Sequence, residues 1–282
     1  MGTTQFATYV TISAFTNVGL QICGLGSQES MVRRVAREPG FYPVMLGHSL
    51  LLSGGTGLVL VLAGLFGIPL LLNLSPAEAP SFGALALLLV TNIVLVKIMG
   101  MATAAYIAHS RFAQANSVDV AFAVVRAIGA ALACLVFGVH TVEQWAAWLF
   151  WSHLVLALPL LWLMLRMGTP VWRIVREEIP IGALFSTQFI SKAVRANTDL
   201  LVLSMIATPE IVGSYGVARR MLDSSYMAVE ALNRLIYPGS ARLLVHGFHA
   251  ARGRVMKVLL ANLALGIFAA VAVFAFSPLM PM

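Results

Sequence analysis

The stretch VMLGHSLLLSGGTGLVLVLAGLFGIPLLL, residues 44–72, contains no Asp, Glu, Lys or Arg. About 20 predominantly apolar residues carry a helix across the hydrocarbon of a bilayer, and this run exceeds that length without the charged stripe that a surface helix of a soluble protein keeps. The same character extends outward over the chain. Of 282 residues, 60% are hydrophobic and 10% charged, with a mean hydropathy of +0.89, whereas soluble domains carry about 25% charged residues. The composition therefore predicts an all-α, polytopic membrane helical bundle with no room for an extramembrane catalytic domain.

Eight spans follow from the alternation of apolar runs with polar breaks, at about 5–25, 44–72, 82–107, 117–138, 145–165, 181–206, 210–236 and 258–277. Pro43, Pro80, Pro170, Pro180, Pro209 and Pro238 fall near these breaks, where a missing N–H costs least. The net charge of +7 does not point to nucleic acid, because the basic residues form no block of five or more. Their distribution instead sets an orientation. The segments after the first, third, fifth and seventh spans hold Arg33, Arg34, Arg37, Arg111, Arg166, Arg173, Arg176, Arg242, Arg252, Arg254 and Lys257, and the other three connections hold none. By the positive-inside bias, the basic connections face the cytoplasm and Met1 faces outward.

A weak internal repeat accompanies this plan. FATYV at 6–10 opens the first span as VGSYG at 212–216 opens the seventh. The offset aligns the second span with the eighth and places the partner of the sixth before Met1. On this reading the chain starts one helix late and stops inside a second half. The expected lobes are 1–166, with five spans, and 167–282, with three.

Seven cations fall inside proposed spans: Lys97, Arg126, Lys192, Arg195, Arg219, Arg220 and Arg234. The span 181–206 holds Lys192, Arg195 and Asp199, a cost of about 8–10 kcal/mol at membrane depth against about 6 returned by its aliphatic residues. Such a helix is not expected to face lipid all round. Gln188, Lys192, Arg195 and Asp199 are spaced 4, 3, 4 and share one helical face. Arg219, Asp223, Tyr226, Glu230 and Asn233 repeat the pattern, and Tyr9, Ser13, Asn17 and Gln21 form a milder stripe. Pairing of Arg219 with Asp223 and of Arg195 with Asp199 at i,i+4 still leaves an excess of cations, which predicts a hydrated, positive route for a substrate.

Other motifs carry less. SGGTG at 53–57 has no following Lys and reads as close helix packing, and HGFH at 246–249 lacks a third metal ligand. Cys23 and Cys134 each stand alone in an apolar segment, and Trp145, Trp148 and Trp151 suit an interfacial aromatic belt. No metal or cofactor is implied. Glu78, Glu143 and Glu210 are too isolated for a membrane glycosyltransferase, so the chain is not expected to be an enzyme.

The stretch NTDLLVLSMIATPEIVGSYGVARRMLDSSYMAVEALNRLIYPGSARL (197–243) resembles the seventh-to-eighth helix region of the polysaccharide and O-antigen flippases, and QFATYVTISAFTNVGLQICGLGSQESMVRRVARE (5–38) resembles their second helix and basic cytoplasmic loop. The resemblance implies part of a 12–14-helix, two-lobed exporter of the bacterial inner membrane. Such proteins move undecaprenyl-diphosphate-linked oligosaccharides outward by alternating access, alongside polysaccharide polymerase machinery. Its implied substrate-binding residues here are Lys192, Arg195, Arg219, Arg220, Arg126 and Lys97, with Asp199, Asp223 and Glu230 for coupling or charge balance. Alternatives are a small-molecule or drug exporter of the same superfamily and a non-transporting truncated remnant.

The orientation is open to direct test. Cysteines at Ser30 and Gly253 are expected to resist an impermeant thiol reagent added outside, and cysteines at Ala79 and Thr208 to label; reversed labelling overturns the assignment.

Overall fold

A computed structural model of the chain describes residues 2–72, 80–220 and 222–223, with scattered positions between 253 and 271. The described residues contain helices and no strand. Helix α1 runs Thr3–Ile22, α2 Ser27–Arg37, α3 Tyr42–Leu72, α4 Phe82–Leu89, α5 Val96–Ala108, α6 Phe112–Leu135, α7 Val142–Met167 and α8 Glu178–Ile206. Residues 209–220 are helical as well. Four stretches are long and apolar enough to cross a membrane: Pro39–Leu70, Phe82–Ala108, Phe112–Leu135 and Val142–Met167. They are the mark of a membrane protein. The outward faces of α3, α6 and α7 fit that role, for they expose Val59, Phe66, Val120, Ile128, Val155 and Leu158, which a soluble surface would not leave contiguous. Helices α1 and α8 are of similar length but lie outside this set, α1 diluted by its hydroxyl and amide residues and α8 by its charges.

The first connection, expected to be a basic loop, is helix α2. Glu29 in its first turn and Arg34 and Arg37 in its last complement the helix dipole. Ser27, Ser30, Met31 and Val35 form its buried face, and Met31 and Val35 enter a core cluster with Met45, Leu46, Met99 and Met164 from α3, α5 and α7. A second cluster joins Ile12 of α1, Val61 and Leu65 of α3, Leu85 and Leu88 of α4, and Ala146 of α7. Between α4 and α5 the helix does not stop but widens. Residues Val90–Leu95 form a π-helical turn, and the Val96 N–H donates to the Thr91 carbonyl five residues back.

The turn from α1 into α2 is built on left-handed backbone. Gly24, Leu25 and Gly26 have φ of 77°, 45° and 68°, a conformation that glycine adopts at no steric cost. Gly26 also touches α8, where any Cβ would run into the Gly182 carbonyl. Beside this contact Arg33 Nη2 donates to both carboxylate oxygens of Glu178, at 3.0 and 2.8 Å, and Ser30 Oγ donates to Glu178 Oε2 at 3.0 Å. Ser186 Oγ donates to the Gln21 carbonyl at 3.4 Å, and Ala7, Val10 and Ala14 pack against Leu200. Together these seat α8 along α1 and α2.

By compactness the chain divides into Met1–Gly213 and Ser214–Met282. Helix α8 falls in the first of these units. Because Ser30 is buried against Glu178, packing alone protects a cysteine there, and exposed Ala36 is the better probe of the expected orientation.

The clamp on Glu178 generates an asymmetric prediction. Arg33→Ala leaves a buried carboxylate without its cation and is expected to cost about 3 kcal/mol, read as a lowered melting temperature in detergent. Adding Glu178→Gln to Arg33→Ala is expected to recover most of that loss. Equal melting of the single and double variants would show that the pair does not hold α8.

Candidate functional site

Only Glu178, Gly182, Ser186 and Leu200 of α8 are buried. Counting 100° per residue from Ser186 puts Arg195 about 180° and Lys192 about 240° round the helix, so both project away from the α1 seam. There they line an open cleft of about 480 Å³ together with Thr187, Gln188 and Ser191. Thr187 Oγ1 donates to the Ala183 carbonyl at 2.9 Å, which leaves its oxygen as an acceptor. Among the described residues, the lining holds two cations and no carboxylate. An Arg fork and a Lys point charge one turn apart suit the oxygens of a phosphate or carboxylate group.

Lys97, expected to share this site, lies elsewhere. It is 7% exposed, on α5, beneath the α1–α2 turn. A Cβ on Gly24 would sit 2.5 Å from Ser53 Oγ, 3.0 Å from Lys97 Cε and 3.2 Å from Ser27 Oγ, so the bare glycine makes room for the lysine. The turn is held from α3, where Thr56 Oγ1 accepts the Gly24 N–H at 2.7 Å, and from α2, where Gln28 Nε2 donates to the Lys97 carbonyl at 3.0 Å. SGGTG supplies Ser53 and Thr56 to this contact, and its Gly57 lies against Val94 and Cys23, which is the close packing read from the sequence. The α3 helix does not break there.

Arg126 is exposed on α6, its guanidinium 5.4 Å from the centre of the Phe122 ring. Asp119, two turns earlier, accepts from Thr103 Oγ1 at 2.9 Å. Neither joins the α8 cleft. Asp199 is exposed one turn beyond Arg195. In the second unit Arg219 lies 3.8 Å from Asp223, the expected i,i+4 pair, with Arg220 exposed beside it. Glu230, Arg234, His246 and His249 lie outside the described residues.

Three further readings are refined. Trp151 is exposed, as an interfacial belt requires, but Trp148 Nε1 donates to the Gly129 carbonyl at 2.8 Å and Trp145 packs edge-on to Tyr9. Those two tie α7 to α6 and α1. Cys23 is buried and Cys134 exposed, both as free thiols. No group of three metal-ligating side chains occurs among the described residues. Ser191 was readable beside the face of Lys192 and Arg195, whereas Thr187 escaped the sequence reading because hydroxyl residues are common in apolar helices; its spacing of four from Ser191 and eight from Arg195 was the available signal.

If the cleft is wet, cysteines at Gln188, Ser191 and Lys192, in a Cys134→Ala background, are expected to react with a small hydrophilic thiol reagent. Cysteines at Ser186 and Leu200, buried in the α1 seam, are expected to stay inert. Inertness at all five positions would mean that the cationic face is sealed.

No protein-family model, curated protein or solved structure matches this chain.

Proposed function

We propose that the protein acts as an inner-membrane flippase for polyprenyl-diphosphate-linked oligosaccharide in the making of cell-surface polysaccharide, as a carrier and not as an enzyme. The observation that carries the reading is the cleft on α8, where Lys192 and Arg195 face open space with Thr187, Gln188 and Ser191 and, among the described residues, no carboxylate. A diphosphate keeps its negative charge whatever sugars follow, and cations in a low-dielectric setting attract it more strongly than they would in water. A drug exporter selecting cationic or neutral compounds would place carboxylates or aromatic rings there instead.

In this proposal the chain crosses the bacterial inner membrane about eight times, within the two-lobed, 12–14-helix plan of the flippase family, with the lobes meeting near 166/167. Lys192 and Arg195 bind the diphosphate. Arg219 and Arg220 are further substrate-binding residues, as the family resemblance implies, and Asp199, Asp223 and Glu230 balance or couple charge. Lys97 and Arg126 contribute to the positive field of the protein without touching the substrate bound at α8.

The test is complementation of a bacterial strain lacking its own flippase, with surface polysaccharide measured at matched membrane abundance. Arg195→Lys is expected to retain part of the signal. Arg195→Ala and Lys192→Ala are each expected to lower it by about tenfold or more, the loss of one charge-assisted contact of roughly 1.5–3 kcal/mol. Arg195→Glu is expected to abolish it. Normal export by both alanine variants, folded in the membrane, would overturn the anionic-lipid reading.

A further inference from the structure

The connection from α7 to α8 is not helical and mixes exposed apolar side chains with charge. Residues 168–175 have irregular backbone, and Val171, Trp172 and Ile174 are exposed, Trp172 by 65%. The segment is nevertheless fixed to α3. The Val171 N–H donates to the Pro43 carbonyl at 2.9 Å, the Val175 N–H donates to His48 Nδ1 at 3.2 Å, and Gly47 offers no side chain where the Val171 carbonyl lies against it. Backbone of this kind is not stable in hydrocarbon, where unpaired peptide groups find no water. Three exposed apolar side chains on a pinned, irregular strip belong at the boundary between lipid and water.

The charges at this boundary have one sign in excess. Arg173 and Arg176 are exposed on the strip, and Arg166 at the end of α7 is exposed with its guanidinium 4.2 Å from the centre of the Trp162 ring. The two carboxylates that follow are unequal: Glu178 is buried and engaged by Arg33, and only Glu177 is exposed. Running toward these arginines along the outside of α7 are Val155, Leu158, Trp162 and Leu165, all exposed and spaced 3, 4, 3, so that they form one apolar rail. A rail ending in cations and amphipathic rings has the shape of a single lipid, acyl chain along α7 and head among the arginines.

We propose that Arg166, Arg173 and Arg176, with Trp162 and Trp172, bind the phosphate head of an anionic glycerophospholipid. The charge complementarity selects an anionic over a zwitterionic head, and the rail selects a lipid over a soluble phosphate. This site is separate from the α8 cleft and does not depend on the flippase reading.

The experiment uses the full chain reconstituted into phosphatidylcholine vesicles that contain, at equal mole fraction, chain-brominated phosphatidylglycerol or chain-brominated phosphatidylcholine, with tryptophan fluorescence as the readout. Stronger quenching by the brominated phosphatidylglycerol is expected, with much of the difference lost in Trp162→Phe/Trp172→Phe. Arg166→Gln/Arg173→Gln is expected to weaken the preference by roughly fivefold per arginine removed, and Arg166→Lys/Arg173→Lys to keep most of it; the lysine pair preserves the reading if glutamine disturbs folding. Equal quenching by the two lipids, or a preference unchanged in the glutamine pair, would overturn the proposal. So would loss of the preference on adding millimolar inorganic phosphate at constant ionic strength, which would identify a soluble-anion site.

Discussion

The arrangement of the first unit depends on a close approach of two backbones, Gly26 at the start of α2 against Gly182 in the first turns of α8. Any side chain at Gly26 would drive the helices apart, and the Glu178 carboxylate would then leave the reach of Arg33 and Ser30. Because Glu178 is 4% exposed, its charge is tolerated only with those partners in place. Steric closeness and charge compensation are therefore one condition met twice. With α8 held along α1 by its buried line of small residues, the opposite side of the helix is left to carry Lys192 and Arg195.

That division explains how a helix with three charges in its second half coexists with a markedly apolar set of neighbours. Helices α3, α6 and α7 present Leu, Val, Phe and Trp outward, the surface that hydrocarbon favours. Helix α8 instead seats Glu178, Gly182, Ser186 and Leu200 against α1 and α2 and turns Lys192 and Arg195 away from them. The two populations of cation in the unit are also distinct in kind. Lys97 fills a space that Gly24 leaves empty, deep in packed helices, while Lys192 and Arg195 stand at the edge of an open cleft.

Much of this was legible from hydropathy, and the parts that were not have physical reasons. The helices read at 44–72, 82–107 and 181–206 match α3, the continuous α4–α5 helix and α8 to within three residues at either end, and the first two are also long and apolar enough to cross a membrane. Helix α2 was hidden because its arginines dominate the composition, although the apolar residues Met31 and Val35 already stood at helical spacing. The shared face of Gln188, Lys192 and Arg195 was readable, since it is a property of one helix. The separation of Lys97 and Arg126 from that face was not, for it depends on which helices pack together, and burial of a lysine by a glycine three helices away leaves no periodic trace. The partners of Trp145 and Trp148 were unreadable for the same reason: a cluster of indoles in sequence points several ways in space.

The π-helical turn at Val90–Leu95 has a consequence for how the sequence tolerates change in length. A wide turn accommodates one more residue than an α-helical path of the same height. Loss of any single residue there would let the helix close into regular α geometry with its hydropathy and span almost unaltered. Because the extra residue is taken up within the one wide turn, everything from Val96 onward would keep nearly its present phase relative to α4. Lys97 would stay beneath Gly24, and Met99, Met101 and Ala102 would stay in their cluster. The same deletion in the regular helix on either side would instead rotate all that follows by about 100°, so this turn is the place along the helix where a lost residue is most readily absorbed.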